Sequence, residues 1–307
     1  MPHVISASRR TDIPAFYAGW FVNRLQDGYI FVKNPYSQKL TRVSLSRTDV
    51  SAIVFWSKNY APLISRLEEI EKSAQNLFFH FTITANVELE PYAPFYGDAI
   101  KDYHYLVRRY APEKVIWRYD PICITDKLSF EIHEQRFEQC AELLKGYTRR
   151  CFISFAHPYK KVIANMKKYS SHTLLELPPE RKREYAHRLA KTAAPYGITL
   201  YACCNDYLLS DTIKKASCID GKLLSELFAV PITTQSAAMR EECACTRSID
   251  IGAYNTCSHG CVYCYANTDG EKAHETQMRQ DPQWNSLGMQ VAESVVSGSE
   301  AQQTLLI

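Results

Sequence analysis

No run of about 18 apolar residues occurs in this chain of 307, so nothing in it is built to cross a membrane as a helix. The opening Met-Pro-His-Val-Ile-Ser-Ala-Ser-Arg-Arg lacks the apolar core and cleavage site of a secretory signal, and the expected location is the cytoplasm. A dominant sign of charge is also lacking: 36 basic against 33 acidic residues leave a net +3, too small to name a partner. Disorder is excluded, because 46% hydrophobic and 12% aromatic residues suffice for a sizeable core. Cysteine, by contrast, is present eleven times. An odd count with no secretory signal reads as reduced thiols and metal ligands rather than disulfides.

Five of these cysteines crowd a short C-terminal stretch, Cys243-Ala-Cys245 and then Cys257-Ser-His-Gly-Cys261-Val-Tyr-Cys264. Three thiolates spaced C-x3-C-x2-C on one tight loop suit three irons of a [4Fe–4S] cubane and leave the fourth iron for a substrate or cofactor. That arrangement argues for an enzyme rather than an electron carrier. Zinc is the alternative: Cys243 and Cys245 with two of the later three make four thiolates, and His259 is a further ligand.

Short strand-like apolar runs recur at His3–Ala7, Ala52–Trp56, Phe78–Thr84, Val115–Tyr119, Cys151–Phe155, Thr199–Cys203 and Ser248–Tyr254. Helical patterns separate most of them. Phe130, Phe137, Cys140, Ala141 and Leu144 share one face with Ser129 as a cap, and a second helix starts at Pro178-Pro179 and stops at Gly197. This alternation predicts an α/β fold with a parallel sheet of six or seven strands, a TIM-like β/α barrel or part of one. Residues 1–235 are the expected barrel core, with a hairpin inserted at 29–45 that turns at Asn34-Pro35. Residues 236–270 are expected to complete it as a cysteine-rich loop, and 271–307 to form a polar tail, mobile or loosely docked.

Polar groups follow the strands: Ser8, Arg9, Arg10 and Asp12; Ser57-Lys58-Asn59; Asn86; Arg118 and Asp120; His157; Asn205 and Asp206. Such exits are where parallel α/β folds place their sites. Arg118 and Asp120, two apart on one strand, point the same way and suit an ion pair. Arg9, Arg10, Asn86, Arg118, Asp120, His157 and Asn205 are therefore expected to line one cavity. For any one of them a cap or turn is the simpler reading.

The triplet, with Tyr263 before its third cysteine and Ile249–Tyr254 leading into Asn255-Thr256-Cys257, resembles the cluster loop of the radical S-adenosylmethionine (SAM) superfamily. The whole chain is similar to an uncharacterised bacterial family with this motif at its C-terminal end. The resemblance implies a [4Fe–4S] cluster on Cys257, Cys261 and Cys264, with SAM on the fourth iron. It further implies an electron from a flavodoxin or ferredoxin and a 5′-deoxyadenosyl radical acting on a substrate the sequence does not name. The superfamily carries its loop near the N-terminus, so here the barrel is expected to be circularly permuted, with the cluster strand beside His3–Ala7. The Gly-Gly-Glu run that meets the SAM amino group is absent. Ser8, Arg9, Arg10 and Asp12 take its place as candidate SAM ligands, with Asn86 and Asn205 beside them. Arg118, Asp120 and His157 are the candidate catalytic groups, and Cys204 a candidate donor of a hydrogen atom. A different reading comes from residues 144–191, where lysines and arginines alternate with Tyr147, Tyr159, Tyr169 and Tyr185. With zinc in place of iron, this would be a nucleic-acid-binding protein without radical chemistry.

Overall fold

The structure, a computed structural model, describes residues 2–237 and 241–292. Ten strands are described: β1 His3–Ala7, β2 Tyr29–Lys33, β3 Leu40–Ser44, β4 Val50–Ser57, β5 Leu77–Thr82, β6 Val115–Ile122, β7 Arg150–Phe155, β8 Thr199–Ala202, β9 Ile213–Lys215 and β10 Ile249–Asp250. Eight form one sheet in the order β10-β1-β4-β5-β6-β7-β8-β9, every neighbouring pair parallel. Near-continuous apolar runs such as Val50–Ser57 and Leu77–Thr82 are what a strand covered on both faces requires. β2 and β3 pair antiparallel as the separate hairpin. Asn34 turns it by accepting the backbone N–H groups of Tyr36 and Ser37 on Oδ1.

The sheet does not close, and this corrects the barrel. Its edges are β9 and β10, three and two residues long. Such short strands offer each other almost no ladder, and the chain between them takes a different course. It crosses the inner face of the sheet, where Leu224 of the helix Gly221–Phe228 packs with Val4, Val54, Phe78 and Ile116. The interior is thus plugged rather than ringed. On the outer face Phe55, Phe79 and Trp117 pack with Phe21, Tyr103, Phe137 and Leu189 from the flanking helices.

The last chain segment pairs where permutation requires: β10 lies beside β1, with Ile5 opposite Ile249 and Ser6 opposite Asp250. It is shorter than the run Ser248–Tyr254 suggests. β9, three residues long, is too short to show a pattern. The helix Gly221–Phe228, amphipathic and capped by Asp220, which accepts Leu223 N at 3.0 Å, is legible in the sequence but is not among the elements expected from it. Ser129 stands at the N-cap of the helix Phe130–Leu143, but its hydroxyl makes no cap bond to the backbone. Beyond residue 269 a helix Gly270–Arg279 leads into a strap to residue 292. Trp20 Nε1 donates to Trp284 O at 2.8 Å, Phe31 N donates to Asn285 O at 2.9 Å, and Leu287 and Val291 are buried. The part of the expected tail between 271 and 292 is therefore docked on the hairpin side; the rest lies outside the described residues.

Candidate functional site

The site is built on Asp250. Its carboxylate accepts Ser6 Oγ (2.7 Å), Ser8 Oγ (2.6 Å), Arg9 N (2.9 Å) and Gly252 N (3.0 Å), and pairs with Arg10 Nε at 3.1 Å. Burial works to raise its pKa, but Arg10 and Arg9 with these hydrogen bonds hold it well below the usual carboxylate range. One buried anion thus ties β10 to the exit of β1. The next turn has no room to spare: a Cβ on Gly252 would meet Ser8 Oγ at 2.0 Å.

The cysteine loop then doubles back on itself. Asn255, at a positive φ of 57°, accepts Thr268 N at 2.6 Å through Oδ1, and Asn267 Nδ2 donates to Cys257 O at 2.6 Å. Neighbouring strand exits hold the loop in place. Tyr17 Oη donates to Thr256 O (2.5 Å) and Tyr265 Oη to Arg9 O (2.5 Å), while Val262 N donates to Leu89 O (3.0 Å). His259 Nε2 lies 2.7 Å from Asp12 Oδ2. Asp12 also accepts Ser57 Oγ, Lys58 N and Ala15 N, so it is a cap and a junction at once. Gly260 turns at φ 67°, under the ring of Tyr92.

Cys257, Cys261 and Cys264 are half-buried in this loop. Burial pushes all three thiols up; negative charge adds to this at Cys257 (Asp12) and Cys261 (Glu90), while hydrogen bonds from the Ala266 and Asn267 backbone and the charges of Lys161 and Lys58 work against it at Cys264. Cys264 Sγ accepts Ala266 N at 3.3 Å. Beside them Glu90 accepts Tyr263 Oη and Thr84 Oγ1, both at 2.5 Å, and pairs with Lys58 Nζ at 2.8 Å. Burial works against the Lys58 charge, but Glu90, Cys261 and Asp120 raise its pKa. Lys58 and Glu90 therefore join the loop to the exits of β4, β5 and β6. Spacing gave no hint of this pair, because both lie outside the cysteine segment and neither exit forms a motif.

Against Lys58 and Glu90 opens a small cleft of about 20 Å³, lined also by Thr82–Val87, Pro94 and Tyr96. Of the residues expected to share one cavity, only Asn86 lines it. Asn86 is 1% exposed; its Oδ1 accepts Arg136 Nη1 at 3.3 Å and its Nδ2 has no partner. Ser8 and Arg10 are taken up by Asp250. Arg9 Nη2 donates to Ser248 Oγ at 3.1 Å, and its buried Nε makes no hydrogen bond. Arg118 and Asp120 do pair, Nε to Oδ2 at 3.1 Å, and Ser154 Oγ donates to Asp120 Oδ1. They face inward rather than into the cleft, with Arg118 Nη1 donating to Cys218 Sγ at 3.2 Å. His157 is exposed, its ring 4.4 Å from that of Tyr159. Asn205 Oδ1 accepts Phe155 N at 3.1 Å and ties down the end of β7.

Cys204 belongs to a second sulfur group. Its Sγ lies 3.9 Å from Cys203 Sγ, which lies 3.4 Å from Cys218 Sγ. Cys218 is hydrogen-bonded to Cys245, and Cys245 to Cys243. Hydrogen bonds from Cys203 and Cys245 hold the Cys218 thiol well below its ordinary value and push those two partners up. Cys243 and Cys245 thus join Cys218 rather than the triplet, which takes apart the four-thiolate zinc set drawn from both. Among the described residues no three His, Cys, Asp or Glu side chains surround one point as the ligands of a single ion would. Four residues of the basic stretch are in ion pairs, Arg149 with Glu113, Lys168 with Asp269, Arg181 with Glu184 and Arg188 with Glu131 and Glu134. No described helix is long and apolar enough to cross a membrane.

The chain belongs to a family described as a domain of unknown function, DUF1848, whose profile matches residues 4–266. No curated protein and no solved structure matches it.

Proposed function

We propose that this DUF1848 protein is a radical-SAM-like enzyme whose triplet Cys257, Cys261 and Cys264 ligates a [4Fe–4S] cluster. The observation that carries the reading is the company those thiols keep. Three half-buried sulfurs on one turned loop are tied to the exits of β1, β4 and β5, and buried polar atoms without hydrogen-bond partners occur beside the loop and on two of those exits. These atoms are Thr11 Oγ1, Asn86 Nδ2 and Asn267 Oδ1. Unmatched buried polar atoms cost free energy unless a ligand or water meets them, and they are rare enough that a group around one loop argues for a ligand there.

The donor set fits the group. Thiolates suit iron–sulfur clusters, and the Ala266 N–H aimed at Cys264 Sγ is the kind of hydrogen bond that tunes them. A cluster held by Cys257, Cys261 and Cys264 would, with SAM and an electron from a flavodoxin or ferredoxin, supply reductive cleavage of SAM and hydrogen-atom abstraction from the substrate. The chain's own residues do the rest. Asp250 and Asp12 fix the loop against β1 and β4, so Ser8, Arg10 and Asp12 position the site instead of contacting SAM. Asn86 Nδ2 is a donor left for an acceptor atom of a ligand, whereas Arg9 Nε faces Asp250 Oδ2 at 3.7 Å. The Lys58–Glu90 pair, joined by Tyr263, holds the loop against the cleft wall, which shields the reacting groups from water. Exposed Tyr159 and Lys160 stand on the helix that bonds the loop through Asn165 Nδ2 and Asn267 O (3.0 Å).

The deciding experiment is anaerobic reconstitution with iron and sulfide, followed by SAM and dithionite. Formation of 5′-deoxyadenosine that is lost in Cys261→Ala supports the reading. Reconstituted protein that binds iron at the triplet yet makes no 5′-deoxyadenosine refutes it.

A further inference from the structure

Three cysteines from two separated segments meet on the inner face of the sheet: Cys203 and Cys204 directly after β8, and Cys218 shortly after β9. Cys203 touches both of the others, its Sγ 3.4 Å from Cys218 Sγ and 3.9 Å from Cys204 Sγ. None is in a disulfide; Cys203 and Cys218 are buried, and Cys204 is partly exposed. We propose that Cys203 and Cys218 are a redox-active dithiol, which a low-molecular-weight disulfide oxidises to an internal disulfide with Cys204 as the entry thiol.

Contact, charge and support set this trio apart from ordinary packed cysteines. Cys140 and Cys151 lie in the main apolar cluster with no sulfur–sulfur contact described, as small hydrophobes do. At 3.4 Å, by contrast, the sulfurs of Cys203 and Cys218 meet with nothing between them. The guanidinium of Arg118, 7% exposed, donates to Cys218 Sγ at 3.2 Å. A cation that also donates a hydrogen bond favours the thiolate, the nucleophilic form of cysteine. The backbone is fixed on both sides of the pair. Cys203 N donates to Ile153 O at 2.9 Å, Ala216 N to Ala202 O at 2.9 Å, and Ser217 Oγ to Ile219 O at 2.8 Å. His80 Nε2 lies 2.7 Å from Cys218 O. The fold has therefore already met the loop-closure cost of bringing the two thiols together.

The order of the sulfurs sets the order of the steps. The Cys204 thiolate attacks the small disulfide, forms a mixed disulfide and releases one small thiol, which takes its proton from solvent. Cys203 then attacks the Cys204 sulfur and expels the second small thiol. A bond between these chain neighbours is strained, because adjacent Cα atoms stand about 3.8 Å apart and a relaxed disulfide spans about 5.5–6 Å. Cys218, which also touches Cys203, attacks that sulfur and returns Cys204 to the thiolate. Across the steps two protein thiols lose two electrons and two protons, and one small disulfide gains them as two small thiols. Once oxidised, Cys218 Sγ no longer offers Arg118 an anionic acceptor, and Asp120 remains as the charge partner of that guanidinium. The inference does not rest on the proposed function, because it uses none of the triplet's residues.

The test uses the full chain, reduced and purified without oxygen, as wild type and as the triple variant C257A/C261A/C264A. Glutathione disulfide is the oxidant. Remaining thiols are then alkylated and the digest is read by mass spectrometry, with circular dichroism recording the fold. Both proteins should yield one link, Cys203–Cys218, with no glutathione retained, and dithiothreitol should reverse it. Cys204→Ser should slow the link at least about tenfold without changing its identity. Cys218→Ser should stop the relay early and leave glutathione on Cys204. Cys203 and Cys218 that remain thiols in either folded protein overturn the proposal, as does a link from Cys218 to a different cysteine. Glutathione retained on wild-type Cys204 with no internal link overturns it too, and none of these three outcomes depends on a cysteine variant of the trio folding. An unchanged rate in Cys204→Ser overturns the entry role.

Discussion

The two cysteine groups of this protein differ in how they are made. The triplet is written into eight consecutive residues, Cys257 to Cys264, and one loop carries it. The row of five draws on segments as far apart as Cys203 and Cys245 and exists only because the chain between β9 and β10 folds back across the sheet. A local group can be recognised before folding and disturbed afterwards without loss of the fold. A group assembled from distant segments is also part of the packing, and its residues answer for stability as well as chemistry.

The largest effect expected from testing this contrast is at the triplet. Replacing any one of Cys257, Cys261 or Cys264 by alanine should lower 5′-deoxyadenosine formation at least about a thousandfold, on the order of 4 kcal/mol in the barrier. Circular dichroism and the denaturation midpoint should barely change. Loss of the fold in these variants would erase the distinction between the two groups.

Next comes Asp250, which holds β10 and so the loop. Asp250→Asn leaves Arg10 buried without its anion and should cost about 3–5 kcal/mol in urea unfolding. The triplet follows β10 directly, so it should lose its iron in this variant. Iron held as in wild type would mean that the loop keeps its place without the Asp250 network.

Acid provides a control that touches neither group. His133 is fully buried, with Nε2 2.9 Å from Cys123 O and Nδ1 3.1 Å from Tyr119 Oη, and burial lowers its pKa to about 4. The unfolded chain takes up this proton first, near pH 6.5, so the stabilisation is complete above that pH. It falls as pH drops toward 4, by roughly 3 kcal/mol for the shift of about two and a half units. Denaturation midpoints between pH 7 and 4 in wild type and His133→Gln should diverge with that sign. A parallel decline in the two proteins would assign the acid sensitivity elsewhere.

The smallest effect is at Gly252. A methyl group there meets Ser8 Oγ at 2.0 Å, and Gly252→Ala should cost about 1–3 kcal/mol as the turn shifts. The triplet should hold iron less tightly in this variant, measured by chelator release. An unchanged release rate would show that the turn at Gly252 does not set the position of the loop.

The sequence by itself determined what is local. Spacing along one loop placed Cys257, Cys261 and Cys264 together. Alternating apolar runs marked seven strands of the sheet, and period two on β6 set Arg118 and Asp120 on one side as a pair. These features follow from covalent geometry within a few residues, so no knowledge of distant packing is needed. Tertiary structure alone decided which groups answer which charge. Asp250 claims Ser8 and Arg10, which the sequence offered as ligands; His259 goes to Asp12; Lys58 finds Glu90; and His157 is left outside. It also decided that the sheet stays open and is filled by its own chain. The partners in these contacts lie tens to hundreds of residues apart, and a buried charge pairs with whatever the packing brings within reach.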